Sequence, residues 1–210
     1  DTYNIELGVK FGGKYKSFYK DNELIKIPEG TAHYLEHKMF ESSDNSDVFE
    51  KFTKHGSYCN AYTTESRTCY VASGNNRFEE DLTNLIDYVT DPFFTDENIE
   101  KEQGIINEEI KRGNDNIYRR IIDERSLNVF TSKEYQQTVI GTKESISKIN
   151  KELLYDIYNN FYVPNNMYLV ITGNFDRDEA HDIIMNSNYA KKENVEFKIP
   201  EINEKDKVVV

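Results

Sequence analysis

Apolar and polar residues alternate where the chain opens. Ile5, Leu7 and Val9 fall on one face and Asn4 and Glu6 on the other, a period of two that predicts a strand over residues 3–11. Residues 14–28 follow as a polar loop. A helix is expected from Thr31 to about Glu41, and a second over 48–54, stopped by Gly56. Residues 57–63 and 67–73 form a hairpin; with its turn at Thr64-Glu65, Asn60 would face Cys69 and Cys59 would face Tyr70. Phe78, Leu82, Leu85, Ile86 and Val89 mark a helix that ends before Pro92, and Ile99, Ile106 and Ile110 run as an apolar stripe along a helix over 96–112. The stretch 113–116 breaks that helix, and 117–130 makes another. Residues 151–161 are helical up to Pro164, 167–172 read as a central strand, and 176–185 as a closing helix. Strands mixed with helices, including one evident hairpin, make the fold class α+β rather than a doubly wound parallel sheet.

Composition changes this picture only at the margins. With 210 residues the chain is long enough to bury a real core, and 15 Tyr and 12 Phe supply bulk that offsets a hydrophobic content of 37%. The formal charge of −12 excludes nucleic acid and anionic membrane as partners and favours basic peptides. No apolar run approaches a membrane span. A start at Asp1 without Met reads as a trimmed chain, so a missing leader says little. Residues 191–207 are Lys/Glu-rich with one Pro, which suits an exposed linker. The two cysteines, Cys59 and Cys69, point to opposite sides of the expected hairpin, and two reduced thiols suit a cytoplasmic protein. Their spacing, without a Cys-x-x-Cys, is not that of a metal site.

The candidate chemistry lies in the first helix. Within Thr31-Ala32-His33-Tyr34-Leu35-Glu36-His37, positions i, i+3 and i+4 share one helical face, so His33 and His37 can hold one metal ion with Glu36 beside it. Glu36 is badly placed for a third ligand but well placed to take a proton from water at the metal. The order His-x-x-Glu-His is the inverted zinc signature. Two imidazoles at this spacing also arise in ordinary packing, so the deciding question is whether a third ligand follows on another helix. Glu102 and Glu109, two turns apart on the 96–112 helix, share a face; Glu109 can complete the metal set as an oxygen ligand while Glu102, one shell out, orients a ligand or a water. The adjacent Glu108 leaves the choice of ligand open, and an acidic helix face is more often simply solvated.

Taken with 30–40, 60–63 and 99–110, the segments 141–146, 162–167 and 173–174 make the chain resemble the pitrilysin, insulinase and mitochondrial processing peptidase family of zinc metallopeptidases. The resemblance implies Zn²⁺ held by His33, His37 and Glu109, with Glu36 as general base and Glu102 as a supporting acid. It implies a LuxS/processing-peptidase-like half, a mixed or antiparallel sheet flanked by helices. Asn60-Ala61-Tyr62-Thr63 is similar to an exposed edge strand that accepts an extended peptide; Tyr62 and Tyr70 as plain core aromatics is the competing reading. His55 and His181 read as surface or packing residues, and 163–167 as a structural turn. Family members carry two homologous halves, with an Arg and a Tyr of the second half supporting the transition state. The expected organisation is therefore a zinc-bearing half over 1–190 and a linker over 191–210 towards a second half, without which the chain is expected to bind zinc yet turn over little. The expected function is a zinc metalloendopeptidase acting on a peptide substrate. The alternative is a peptide-binding or assembly subunit with a structural metal, against which Glu36 argues, since a closed structural site has no use for a base.

Overall fold

A computed structural model of the chain describes residues 2–44, 46–136 and 138–201. In chain order the elements are β1 (Tyr3–Val9), β2 (Ser17–Lys20), β3 (Glu23–Lys26), α1 (Thr31–Lys38), α2 (Val48–Thr53), β4 (Tyr58–Thr63), β5 (Thr68–Gly74), α3 (Phe78–Thr90), α4 (Asp96–Asn114) and α5 (Ile117–Val129). They continue with α6 (Lys133–Gln136), α7 (Lys143–Ile146), α8 (Lys151–Phe161), β6 (Met167–Gly173), α9 (Arg177–Asn186) and α10 (Asn188–Lys191). The class is α+β, with helices packed on one face of an antiparallel sheet ordered β4-β5-β1-β6.

Strand parity decides which face is covered. Ile5, Leu7 and Val9 align with Ala72, Tyr70 and Thr68 on one side and with Ile171, Leu169 and Met167 on the other, building the inner face. Against it pack Leu82, Leu85, Ile86 and Val89 of α3 and Leu154, Ile157, Tyr158 and Phe161 of α8, all buried. The opposite face carries Tyr58, Asn4, Glu6, Val71 and Val170, and here Tyr58 remains 56% and Val170 48% exposed. One covered face and one open face is the ordinary economy of an antiparallel sheet.

Four expectations change. Residues 14–28 are not all loop, because β2 and β3 pair across Asp21 and Asn22, whose φ of 50° and 65° supply the left-handed pair that a tight hairpin turn requires. β6 is an edge strand rather than a central one; β1 and β5 are central. Its run Met167-Tyr168-Leu169-Val170-Ile171 is apolar on both sides, which imitates two-sided burial although Val170 faces outward. The β4–β5 turn is longer than expected. Thr63 pairs with Thr68, so Cys59 lies opposite Ala72 and Asn60 opposite Val71. A slip of two residues preserves parity, so the thiols still point to opposite faces and both are free. Finally, the described part of the Lys/Glu-rich stretch lies against the body: Phe197 packs on Phe161 at 5.1 Å, Tyr19 N donates to Lys198 O at 2.9 Å, and Lys192 Nζ sits 3.8 Å over the Tyr158 ring. Residues 202–210 lie outside the described residues.

Candidate metal centre

α1 is started by Gly30, whose φ of 89° only glycine adopts freely, and a Cβ there would lie 2.4 Å from Ile140 O. That close approach seats the first turn of the helix against the 138–141 loop. Further along, α1 is fixed to α4: Tyr34 Oη donates to Ile99 O at 2.5 Å and Lys38 Nζ to Asn98 O at 3.1 Å. α4 is itself started by a reciprocal cap in which Thr95 Oγ1 accepts from Asn98 N and Asn98 Oδ1 from Thr95 N. The two helices are thereby held in one register, with the His33/Glu36/His37 face of α1 turned towards the Glu102/Glu109 face of α4.

Three donor atoms converge there. His33 Nε2 and His37 Nε2 lie 3.8 Å and 3.7 Å from the same oxygen, Glu109 Oε2, and the group lies within 4.8 Å throughout. Tetrahedral zinc bonds of about 2.0–2.1 Å place donors roughly 3.3 Å apart, so the set needs only slight contraction to close on an ion. His37 Nδ1 is 2.8 Å from Glu102 Oε1, which puts the proton on Nδ1 and leaves the Nε2 lone pair for a metal. His33 has no such holder: its Nδ1 is buried and unpaired among the described residues, and its ring is positioned by the His37 ring, centroid to centroid 4.5 Å. Glu108 points away and pairs with Lys111 at 3.1 Å. The donor chemistry, two imidazoles and a carboxylate with a fourth position left over, fits zinc in an open site.

Electrostatics follow burial. His33 is driven down to about pKa 3 by desolvation, with the charges of His37 and Arg119 adding, so its imidazole is neutral at physiological pH. For His37, desolvation works the other way from the outcome: the hydrogen bond and charge of Glu102, helped by Glu36 and Glu109, raise its pKa. Glu36 is 7% exposed, and burial raises its carboxyl above the usual range against the opposing pull of Thr63 and His37. Thr63 Oγ1 donates to Glu36 Oε2, fixing one carboxylate oxygen.

That last contact joins the site to the sheet. Asn60, Ala61, Tyr62 and Thr63 all lie on β4, an edge strand, and its carboxyl end reaches the metal centre through Thr63. The Ala61 N–H is capped by Asn60 Oδ1 at 2.9 Å, while Tyr62 is on the outer face, 38% exposed, with Oη 3.1 Å from Glu6. Tyr70, by contrast, is buried, its Oη 2.8 Å from that of Tyr162. His55 Nε2 packs against buried Asp81 at 2.8 Å and His181 is on the surface, both apart from the metal group. The contact of Thr63 with Glu36 escapes a reading of the sequence, though strand parity with Ala61 was a usable signal. Arg119, near enough to influence His33, has no sequence signal at all.

Comparison with known proteins is consistent with this arrangement. The family described as insulinase (peptidase family M16) matches residues 21–143, and a second description, peptidase M16 inactive domain, matches 148–209. The chain is similar to an uncharacterized zinc protease, YmfH, of Bacillus subtilis, 42% identical over 89% of this chain and 44% of that protein. It is also similar to the mitochondrial-processing peptidase subunit beta of Bos taurus, 26% identical over 87% of this chain and 36% of the other. Among solved structures, one described as a putative M16-like peptidase from Alicyclobacillus acidocaldarius superposes with a TM-score of 0.90 at 37% identity, covering 97% of this chain and 48% of that one. Pitrilysin shares the fold, with a TM-score of 0.78 at 22% identity over 96% of this chain and 22% of its own. The chain thus spans less than half the length of these relatives.

Proposed function

Because the chain belongs to the insulinase (M16) family of peptidases, we propose that it is the metal-bearing half of a zinc endopeptidase that hydrolyses extended or unfolded peptides. The observation that carries this reading is the convergence of His33 Nε2, His37 Nε2 and Glu109 Oε2, with the buried carboxylate of Glu36 beside them. Zinc held by those three residues would supply Lewis-acid chemistry, acidifying water and polarising the scissile carbonyl. The protein's part is proton traffic and orientation. Glu36, its basicity raised by burial, takes the proton from the attacking water and returns it to the leaving amine, while Thr63 holds Oε2 and leaves Oε1 for the transfer. Glu102 keeps His37 in the tautomer that offers Nε2. A peptide added as a strand on β4 would displace the Asn60 cap from the Ala61 N–H and be led past Thr63 to the site.

The test is metal content and turnover of the full-length protein. About one zinc per chain is expected after metal-replete expression. Glu36→Gln should keep the zinc and lose roughly a hundredfold or more of peptide hydrolysis, since the amide keeps the shape and loses the basicity. Glu109→Gln should lose zinc and Glu108→Gln should not. A zinc-free protein, or a Glu36→Gln protein that cuts peptides at the parental rate, would overturn the assignment.

A further inference from the structure

A second feature adjoins the metal centre. Beyond Glu109, the carboxyl end of α4, the start of α5 and the loop leading into α7 enclose a cavity of about 330 Å³ lined by Ile110, Arg119, Asp123, Thr138 and Ile140 among others. Its walls are built from segments that adjoin those carrying the site. Ile110 follows the candidate ligand Glu109 directly, and Ile140 O abuts Gly30, three residues before His33.

Arg119 is set into this wall by construction. The Asn116 side chain caps α5 by accepting from Arg119 N at 3.3 Å, which fixes where the helix begins. The guanidinium then lies across Gly113, where an added Cβ would come 2.8 Å from Arg119 Nη1, so a side chain larger than hydrogen at 113 would push it out. Its charge reaches Asp123 on the same wall, pulling that carboxyl down against the rise that desolvation causes. Yet among the described residues no carboxylate lies within ion-pair distance of Arg119. A half-buried guanidinium with a planar set of donors and no carboxylate partner among the described residues is built to receive a carboxylate.

Resting on the peptidase reading, we propose that this cavity is a substrate subsite in which Arg119 selects a carboxylate on a residue flanking the cleaved bond. A peptide strand paired on β4 reaches the metal at Thr63, and its continuation beyond the metal meets α4's carboxyl end and the cavity. The chain's net charge of −12 draws in basic peptides at long range, so the favoured substrate is a basic peptide with one acidic position at this subsite. Arg119 is a specificity-determining residue here, outside the proton-transfer machinery.

The experiment uses the zinc-loaded full-length protein. The bond it cuts in an unstructured peptide is located by mass spectrometry, and binding is then measured by fluorescence anisotropy on the Glu36→Gln protein. The probes are C-terminally amidated peptides differing only in Glu, Gln or Lys at each position flanking that bond, with a free-acid set to report any capture of a chain terminus. At one position the Glu peptide should bind on the order of tenfold tighter than the Lys peptide. Arg119→Gln should abolish that preference. Arg119→Glu, with Asp123 on the same wall, should reverse it, zinc content unchanged. If every position is indifferent to charge, or if the preference survives in both variants, the subsite assignment is wrong while the peptidase reading stands; a preference seen only with the free-acid set reassigns Arg119 to the chain terminus and also overturns it. If the zinc-loaded parent neither binds nor cuts peptides, both readings fall together.

Discussion

Glu102 illustrates how much one second carboxylate does at the scale of a residue. At 7% exposure it would be costly to bury charged, and its pairing with His37 Nδ1 at 2.8 Å is what makes it tolerable. The same contact raises the pKa of His37, and a protonated imidazole cannot ligate. Because His33 is neutral down to about pH 3, His37 is the imidazole whose proton competes with zinc. Zinc affinity is therefore undiminished above the raised pKa of His37 and weakens progressively as the pH falls below it. Glu102→Gln should act in two directions. It should weaken zinc binding at neutral pH by about tenfold, because a neutral amide oxygen holds the ring less firmly than the carboxylate does, and it should move the onset of acid release to lower pH, because the raising charge is gone. Zinc competition against a chromophoric chelator across a pH series checks both; an acid limb unmoved by the substitution would show that Glu102 does not set the basicity of His37. The His33, Glu36 and His37 spacing is legible in sequence because one helical turn fixes it. Choosing Glu109 over Glu108 needed the resemblance, since a rotation of about 100° between neighbours decides which one faces the imidazoles, and the packing of α4 sets that angle.

Among elements, β4 has the largest part for its length in the proposed mechanism. One side pairs with β5, the other has no strand beside it among the described residues, and its carboxyl end delivers Thr63 to Glu36. If peptides bind by extending the sheet, the Ala61 N–H is a donor they must use. Ala61→Pro removes it without touching the pairing to β5, a substitution that edge strands tolerate. Peptide affinity measured on the Glu36→Gln protein should fall about tenfold or more, with the thermal midpoint shifted by only a few degrees; unchanged affinity would move the peptide off this edge. Helices and strands with a strong period, β1, α3, α4 and α8, were readable because their burial is one-sided and regular. β2 and β3 were not. Each is four residues long and held by the turn at Asp21 and Asn22; β3 is largely solvent-facing and β2 fully buries only Phe18, so neither shows an apolar pattern. The edge position of β6 was hidden for a related reason: sequence reports how apolar a strand is, while the number of its neighbours depends on the rest of the chain.

At the scale of the whole molecule, two surfaces stand out. α5 buries no side chain, with Ile117 66%, Tyr118 77% and Ile121 59% exposed, and the outer sheet face leaves Tyr58 and Val170 open. Exposed apolar surface such as that of α5 ordinarily marks a contact. The chain also spans less than half the length of the relatives it matches, and we propose that those surfaces are where the remainder of a longer protein rests. The chemistry points the same way. In the proposed mechanism three ligands and a base would handle the metal and the proton, but charge developing on the scissile carbonyl oxygen needs donors of its own, and loss of one such donor costs on the order of a hundredfold or more in rate. We therefore expect the 210-residue chain, fully zinc-loaded, to turn over unstructured peptides at no more than about a hundredth of the full-length rate, and to self-associate through its apolar surfaces. Adding the rest of the polypeptide in trans should restore turnover and return the chain to a defined assembly. A fluorogenic-peptide assay at matched zinc, run beside light scattering, reads both. Full activity from the 210-residue chain, abolished by Glu36→Gln, would show that this half holds every donor the reaction needs, and would refute the dependence while leaving the metal centre where it is.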